Sequence, residues 1–363
     1  SGVEYETMRE FCMKWWNRIA TIDMLFIAVV TLILSFVGSW LKRFPGFSLL
    51  GALILALIFG MIVQFPIRSI YVKNSAKHAA GVKDAAGLIS NKLLRLGIIL
   101  LGFKLDLQVL FTQGVKCLPI AAVVVTLTIV VTYLLARAFK VSPMLAILTA
   151  GGTGICGAAA VMGLSGAIAV DESQQEEKED YVVMAVATVA IMGTVFALIE
   201  IAVFPLFGMT PTQQGVAAGA TLHEIAHAVA VGGAFGGAAL NMATIMKLSR
   251  VLMLVFAAII IAIWWDKTKA TVSTGGKRKV AFPYFMLGFI AVSILGTYVP
   301  FLNGIAPTLV DIAYIVLGMA MAALGINVNF RAIAAKGMPA FAASFITSVL
   351  LMFFGVGIAF LLF

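Results

Sequence analysis

One short stretch, His223-Glu224-Ile225-Ala226-His227, carries side chains that can do chemistry at a spacing with two interpretations. On a helix, the H-E-x-x-H pattern places two histidines on one face as zinc ligands, with the glutamate as general base. Inside a membrane, such residues are costly and instead mark a polar centre that faces a partner or a water-filled path. Glu224 and His223 can bind and release protons, so they are candidate proton-coupling groups of a transporter.

The zinc interpretation predicts an intramembrane metalloprotease and requires a third ligand. The candidate with suitable chemistry inside an apolar span is Asp311, at the end of the stretch 303–311. A five-residue pattern with two free positions arises easily by chance. We therefore expect no enzyme, no metal and no cofactor, and the protease remains an alternative.

A glycine-rich stretch, residues 150–161, lies midway along an apolar segment and predicts a broken helix. Its centre, Thr153-Gly154-Ile155-Cys156-Gly157, suits unwound backbone or very close contact with another helix. Unwound backbone at membrane depth is tolerated where it is buried in protein or lines a cavity. A half-helix that begins there presents free N–H groups and partial positive charge, which suits an anion. The alternative is a small-residue packing seam between two continuous helices.

Residues 219–229 repeat this outline. Thr221 stands where the first stretch has Gly154, and His223 stands where it has Cys156. Two such segments that face each other would form a polar site inside the membrane.

Two cations on the following span, Lys247 and Arg250, are three residues apart and share one helix face. They can supply positive potential to an anionic substrate, or pair with Glu224. The alternative is that they extend to lipid headgroups.

The elements that must position these residues are membrane helices. Hydrophobic residues make up 62% of the 363 residues, 11% are charged, and the mean hydropathy is +1.08. This composition is typical of a polytopic membrane protein. We predict an all-α fold with about eleven transmembrane helices, where a bilayer requires roughly 20 residues per helix. The third span is short unless residues 84–92 form its start. The predicted spans are 22–41, 47–65, 93–103, 117–139, 144–170, 181–207, 214–235, 242–265, 281–300, 306–326 and 338–362.

The net charge of +9 is explained by membrane topology and indicates the lipid bilayer as partner, not nucleic acid. With eleven spans, most Lys and Arg residues lie on the side of the N-terminus. The positive-inside rule then places the N-terminus in the cytoplasm and the C-terminus outside. The acidic stretch 171–180 is predicted to lie outside.

Domain organisation is simple in this interpretation. Residues 1–20 predict an amphipathic helix in the cytoplasmic interface. Residues 21–363 predict one transmembrane transporter domain with approximate halves 21–207 and 208–363, and residues 268–280 predict a flexible linker. The similarity of Leu101–Leu107 to Leu324–Phe330 indicates inverted repeats, with chance as the alternative.

Five parts of the sequence carry a resemblance to a known family: 93–105, 154–161, 219–226, Lys247 with Arg250-Val251, and 319–325. There the sequence resembles the YeiH-like membrane proteins, the bacterial family described as sulfate exporters. Thr153-Gly154 differs from the Ser that the family usually carries there, and His227 stands where the family often has Gln.

The resemblance implies an inner-membrane protein similar in plan to bile-acid/sodium symporters and sodium/proton antiporters. Such proteins have a panel domain, a core domain, inverted repeats and crossing broken helices. The implied substrate is sulfate or a related sulfur oxyanion.

We therefore expect a secondary transporter that exports a small inorganic or organic anion by alternating access, coupled to H⁺ or Na⁺, as a monomer or a homo-oligomer. A passive anion channel is a further alternative. The expected substrate site consists of Thr153, Gly154, Ile155, Cys156, Gly157, Thr221, His223, Glu224, His227, Lys247 and Arg250.

Overall fold

The computed structural model describes residues 2–45, 47–270, 284–327 and 330–363, and every regular element in these ranges is helical. This confirms the all-α class. The α-helices are α1 (Gly2–Ile19), α2 (Ile22–Leu41), α3 (Phe47–Pro66), α4 (Ala76–Leu101), α5 (Leu107–Thr112), α6 (Cys117–Ala138), α7 (Pro143–Gly154), α8 (Ala158–Ala167), α9 (Gln175–Val203), α10 (Pro211–Thr221), α11 (Ile225–Ala234), α12 (Gly237–Ala270), α13 (Tyr284–Tyr298), α14 (Ala306–Ile326) and α15 (Phe330–Leu362).

Eight of the described helical stretches are long and apolar enough to cross a membrane. The shorter α13 is apolar as well, over its Leu287–Tyr298 part. The candidate spans are Ile22–Leu41, Leu55–Val72, Ala76–Lys104, Cys117–Ala138, Glu172–Phe207, Gly237–Thr268, Ala306–Ile326 and Ala334–Leu362.

The predicted span 144–170 is a hairpin of two short helices, α7 and α8, which we call hairpin 1 (Pro143–Ala167). A Cβ atom added to Gly151 of α7 would overlap the Leu164 side chain of α8, so the two arms pack side by side. The end of hairpin 1 lies beside the C-terminal part of α12, because the Trp265 indole donates to the carbonyl of Ala169 at 2.9 Å.

The predicted span 214–235 is a second hairpin, α10 and α11, which we call hairpin 2 (Pro211–Ala234). Both of its arms lie beside the first turns of α12. A Cβ atom added to Gly215 of α10 would overlap the Ala239 carbonyl, and one added to Gly232 of α11 would lie 3.0 Å from the same oxygen. Hairpin 2 therefore enters the bundle from the end of α12 opposite to hairpin 1.

The prediction of broken helices is confirmed, but the assignment of these two stretches as full crossings in an eleven-span topology is wrong. Arms of 12, 10, 11 and 10 residues are too short to span a bilayer core of about 30 Å, because a helix rises about 1.5 Å per residue. In hairpin 1, Gly157 reverses the chain with a φ of 69°. Each hairpin returns the chain to the face that it left.

This changes the predicted position of the acidic stretch 171–180. Arg18 of α1 pairs with Asp84 of α4 at 2.6 Å, and Lys83 of α4 pairs with Glu176 at 3.0 Å. The acidic stretch therefore lies at the same end of the molecule as α1, which we call the N-terminal face. The opposite end, where Lys116 donates to the Leu362 carbonyl at 2.7 Å, is the C-terminal face.

The helices form two layers. In the panel (α2–α4, α13 and α14), α14 packs closely on α2, α3 and α4. The approach is close at Gly60, where an added Cβ would overlap the Ala322 carbonyl. The core consists of the two hairpins and of α6, α9, α12 and α15, which pack around them. Within it, α12 contacts α6, α8, α10 and α11.

Two predicted features fall on chain that the structure does not describe. Residues 271–280 of the predicted linker lie outside the described residues. The second copy of the repeat includes Val328 and Asn329, which also lie outside them. The first copy forms the end of α4 and the 3-10 turn Gly102–Lys104.

Candidate functional site

The tips of the two hairpins meet at the side chain of Lys247, in the middle of α12. Its ammonium donates to the carbonyls of Ile155 at 2.8 Å, Leu222 at 2.8 Å and His223 at 2.6 Å. Three acceptors match the three donors of a charged ammonium group. Lys247 therefore ties both tips to α12, although it is fully buried.

Arg250, one turn further along α12, joins the same two tips. Its guanidinium donates to the carbonyls of Thr153 and Gly154 in hairpin 1. In hairpin 2 it donates to the carbonyls of Gly219, Ala220 and Leu222. Leu222 lies in the break; the other carbonyls belong to the last turns of α7 and α10 and have no partner within their helices.

The two cations thus neutralise the negative ends of two half-helices. In this structure all the described donors of Lys247 and Arg250 are directed to backbone carbonyls. They are helix caps here, and their predicted role as direct substrate ligands stays a prediction.

The correspondence of the two stretches holds residue by residue. The first arms end at Gly154 and Thr221, and the second arms begin at Ala158 and Ile225. Lys247 binds the carbonyls of Ile155 and Leu222, which occupy the same position in the two breaks.

Glu224 reaches across from hairpin 2 to hairpin 1. Its Oε1 accepts the backbone N–H of Ala158 at 3.1 Å, in the first turn of α8. A carboxylate is favoured at this position by the unpaired N–H groups and the positive end of the helix dipole. Gly157 permits the approach, because a Cβ there would lie 2.5 Å from Glu224 Cγ.

The neighbouring helix α15 contributes two serines, one to each hairpin. Thr153 Oγ1 lies 2.9 Å from Ser344 Oγ, and His223 Nε2 lies 3.0 Å from Ser348 Oγ. The other ring nitrogen of His223, Nδ1, is buried and has no hydrogen-bond partner among the described residues.

A buried carboxylate, Glu200 of α9, lies behind hairpin 2. Its Oε1 is in close hydrogen-bond contact with the hydroxyl of Thr221, the last residue of α10. Sequence reasoning did not place Glu200, Ser344 or Ser348 in the site. The serines lie one turn apart in an otherwise apolar span, and this spacing was the available signal.

The structure does not place the H-E-x-x-H residues on one helix. His223 and Glu224 belong to the break, where Glu224 has extended backbone angles (φ −108°, ψ 156°), and α11 begins only at Ile225. His227 instead packs its ring against Gly193 of α9. Among the described residues, no three His, Cys, Asp or Glu side chains lie together as a metal site. Asp311 is exposed, near the start of α14.

The predicted site residues are thus mostly brought together. Thr153, Gly154, Ile155, Cys156, Gly157, Thr221, His223, Glu224, Lys247 and Arg250 form one buried cluster, and His227 lies one turn beyond it along α11. Cys156 is buried at the tip of hairpin 1.

A cavity of about 860 Å³ opens at the N-terminal face, where the panel meets the core. Arg68, just after α3, and Lys83 of α4 line it together with acidic residues in the first turns of α9. The lining residues that carry charge are Arg68, Lys83, Glu176, Glu179, Asp180 and Arg331.

Comparison of the sequence with known proteins assigns the chain to a family. The family named Conserved hypothetical protein 698 matches residues 24–344. A UPF0324 membrane protein of Bifidobacterium longum is 72% identical over 98% of this chain and 100% of its own length. UPF0324 membrane proteins of Lactobacillus johnsonii and Bacillus cereus are 48% and 41% identical, each over 90% of this chain and over 94% and 88% of their own lengths. No solved structure matches the chain.

Proposed function

Because the chain belongs to the Conserved hypothetical protein 698 family of bacterial membrane proteins, the UPF0324 or YeiH-like proteins, we propose that it is a secondary transporter for a small anion. The observation that carries the proposal is the carboxylate of Glu224 on the N–H of Ala158. A side-chain anion already occupies the position where a substrate anion would bind.

The electrostatics of the two tips support an anion. Lys247 and Arg250 cap the negative ends of α7 and α10, so the positive ends of α8 and α11 are left facing the centre. Half-helix ends of this kind hold anionic substrate groups in transporters with broken helices. Ser344, Ser348 and His223 supply hydrogen-bonding side chains beside the tips.

Glu224 links this site to protons. A substrate anion can take its position on α8 only when the carboxylate moves away or is protonated, because two negative charges on one helix end repel each other. We assign proton coupling to Glu224, with His223 as its neighbour. We propose sulfate or a related sulfur oxyanion or sulfonate as the substrate. Because such an anion moves together with a proton, its export from the cell requires an outward anion gradient that outweighs the inward proton gradient.

The arrangement of helices supports alternating access. Hairpin 1 enters from the N-terminal face and hairpin 2 from the C-terminal face, each with one long helix beside both of its arms: α9 for the first and α12 for the second. Likewise α6 packs on α7 as α15 packs on α10. The two units run in opposite directions, as inverted repeats do, and the cavity between panel and core would give access from the N-terminal face.

The orientation follows from the charges. The N-terminal face carries most of the described Lys and Arg residues, whereas the C-terminal face carries Lys42, Arg43, Lys104 and Lys116. The positive-inside rule places the N-terminal face in the cytoplasm of a bacterial cell and the C-terminus outside.

The test is exchange of radiolabelled sulfate and sulfite in proteoliposomes that contain the purified protein. We expect saturable exchange in the wild type and acceleration of net flux by a proton gradient. Glu224→Gln should keep exchange and lose most of the acceleration by the gradient. Asp311→Asn, an exposed carboxylate of the panel, is the matched control and should behave as the wild type.

Two results would overturn the proposal. Absence of exchange for every sulfur oxyanion, sulfonate and carboxylate tested would contradict an anion transporter. Steady conductance in planar bilayers without saturation would indicate the passive channel instead. Retention of the full gradient effect in Glu224→Gln would contradict the coupling role alone.

A further inference from the structure

Glu200 is a buried acid that the proposed transport site does not use. It lies on α9, one turn before the helix ends at Val203, and it is fully buried. Its Oε1 contacts the hydroxyl of Thr221, and its Oε2 has no hydrogen-bond partner among the described residues. Glu200 also has no ion-pair partner within the described chain.

The hydrogen bonds of Thr221 restrict the protonation state of Glu200. The Thr221 hydroxyl has a single proton, and it lies within hydrogen-bond distance of two acceptors, the Ala217 carbonyl at 2.9 Å and Glu200 Oε1. An ionised carboxylate can only accept, so one of the two contacts would then lack a proton. A protonated Glu200 satisfies both, because it donates to Thr221 Oγ1 while Thr221 donates to Ala217.

We infer that Glu200 holds a proton in this conformation and is a second proton-binding group of the transporter, coupled to hairpin 2 through Thr221. The protonation state stands on the hydrogen bonds alone. Its part in transport rests on the proposed function.

The charged and titratable groups around Glu200 fit this assignment. From α12, Arg250 faces it, but the Arg250 donors are directed to carbonyls of the two hairpins. From α11, His227 lies against Gly193, two turns earlier on α9. From α15, the contact with this part of α9 is aromatic, between Phe345 and Phe196.

The proton on Glu200 changes the charge at the hairpin tips. With Glu200 neutral, the two cations Lys247 and Arg250 face one buried carboxylate, Glu224, and an anion is favoured there. Loss of the proton adds a negative charge directly behind Thr221 and disfavours the anion. The substrate anion and the Glu200 proton are therefore expected to bind together and to move in the same direction.

Infrared spectroscopy of the purified protein at neutral pH tests the protonation directly. The wild type should show the C=O stretching band of a protonated carboxylic acid, shifted by deuterium exchange. Glu200→Gln should lack this band, although its amide can still donate to Thr221. Thr221→Val should keep the band and shift it, because the acid loses its acceptor. Asp311→Asn is the control and should leave the band unchanged.

If Glu200→Gln kept every carboxylic acid band of the wild type, the inference would be overturned, whatever the transport result. A band that disappears only in Glu224→Gln would assign the proton to that residue and equally reject Glu200.

The transport readout separates the two proposals. In proteoliposomes, Glu200→Gln should keep anion exchange and move fewer protons per anion than the wild type. An unchanged proton-to-anion ratio would remove Glu200 from coupling and leave the anion site intact. Absence of exchange in the wild type would reject the transporter, while the infrared result would still decide the protonation of Glu200.

Discussion

Hairpin 1 and hairpin 2 share one backbone plan but carry different chemistry at their tips. Both breaks are three residues long, and Lys247 binds the first carbonyl of each. Where hairpin 1 has Cys156 and Gly157, hairpin 2 has His223 and Glu224. Hairpin 1 thus offers the backbone N–H of Ala158, and hairpin 2 offers the Glu224 carboxylate that accepts it.

This difference makes each tip depend on the other. The Glu224 carboxylate reaches α8 because Gly157 has no side chain. If both tips carried glutamate, the side chain at position 157 would fill the space that Glu224 occupies. If both carried glycine, the carboxylate would be missing. The asymmetry of the side chains therefore defines the site, while the symmetry of the backbone positions it.

The largest expected effect concerns the cap that Arg250 forms on both hairpins. Arg250→Leu leaves several buried carbonyls of both hairpins without a donor. Each buried carbonyl that loses its only donor costs about 1–3 kcal/mol. We expect a correspondingly large fall in the unfolding temperature of the protein in detergent micelles.

Two further variants sharpen this result. Lys247→Met should also destabilise strongly, since the buried carbonyls of Ile155 and His223 lose their donor, whereas that of Leu222 keeps Arg250. Lys83→Met removes an exposed ion pair with Glu176 and should cost less than about 1 kcal/mol. Equal stability of Arg250→Leu and Lys83→Met would show that the hairpins do not depend on α12 for their caps.

The second prediction concerns the difference between the tips. Gly157→Ala places a side chain at a φ of 69° and 2.5 Å from Glu224 Cγ. Backbone strain of this kind costs about 1–3 kcal/mol, and the clash with Glu224 adds to it. We expect reduced thermal stability and loss of anion exchange. Gly233→Ala, where an added Cβ meets no atom within 4 Å, is the control.

A double-mutant cycle divides this effect into its two causes. In Gly157→Ala combined with Glu224→Ala the clash is removed, whereas the strain of residue 157 remains. The double variant should therefore be more stable than the sum of the single changes predicts. Strict additivity would mean that Glu224 does not lie against Gly157 in solution.

Much of this architecture is contained in local sequence. Four glycines within 151–157 indicated the first break, and the matching outline of 219–229 indicated the second. What local sequence does not contain is the direction of the chain after each break. Hydropathy is the same for a span that crosses and for one that returns, so the reversals at Gly157 and in the second break required the packing of α7 on α8 and of α10 and α11 on α12.

The same holds for the site: its residue types could be predicted from local sequence, but their roles could not. Its charged residues were predictable, because Lys247, Arg250 and Glu224 are conspicuous in apolar surroundings. Their roles depended on distant contacts. That the two cations cap helix ends follows from hairpin carbonyls 24 to 97 residues away in sequence. The role of Glu200 depended likewise on Thr221, 21 residues further along the chain.

The smallest predicted effect compares the two serines of α15, which touch the two hairpins one turn apart. Ser344→Ala removes the contact with Thr153, and Ser348→Ala removes the contact with His223. Each change should cost about 0.5–1.5 kcal/mol of stability, the usual contribution of one hydrogen bond. Thermal unfolding should therefore not distinguish the two variants.

Transport should distinguish them. Thr153 lies in the helical arm of hairpin 1, before the break, so loss of its serine leaves the N–H groups of α8 unchanged. His223 lies in the break beside Glu224, and its Nδ1 is already without a partner, so loss of Ser348 frees the ring to turn. We expect Ser348→Ala to change the apparent affinity for the anion several-fold more than Ser344→Ala does. Equal affinities would show that both serines serve only the packing of α15. The difference between the two tips would then not extend to their serine contacts.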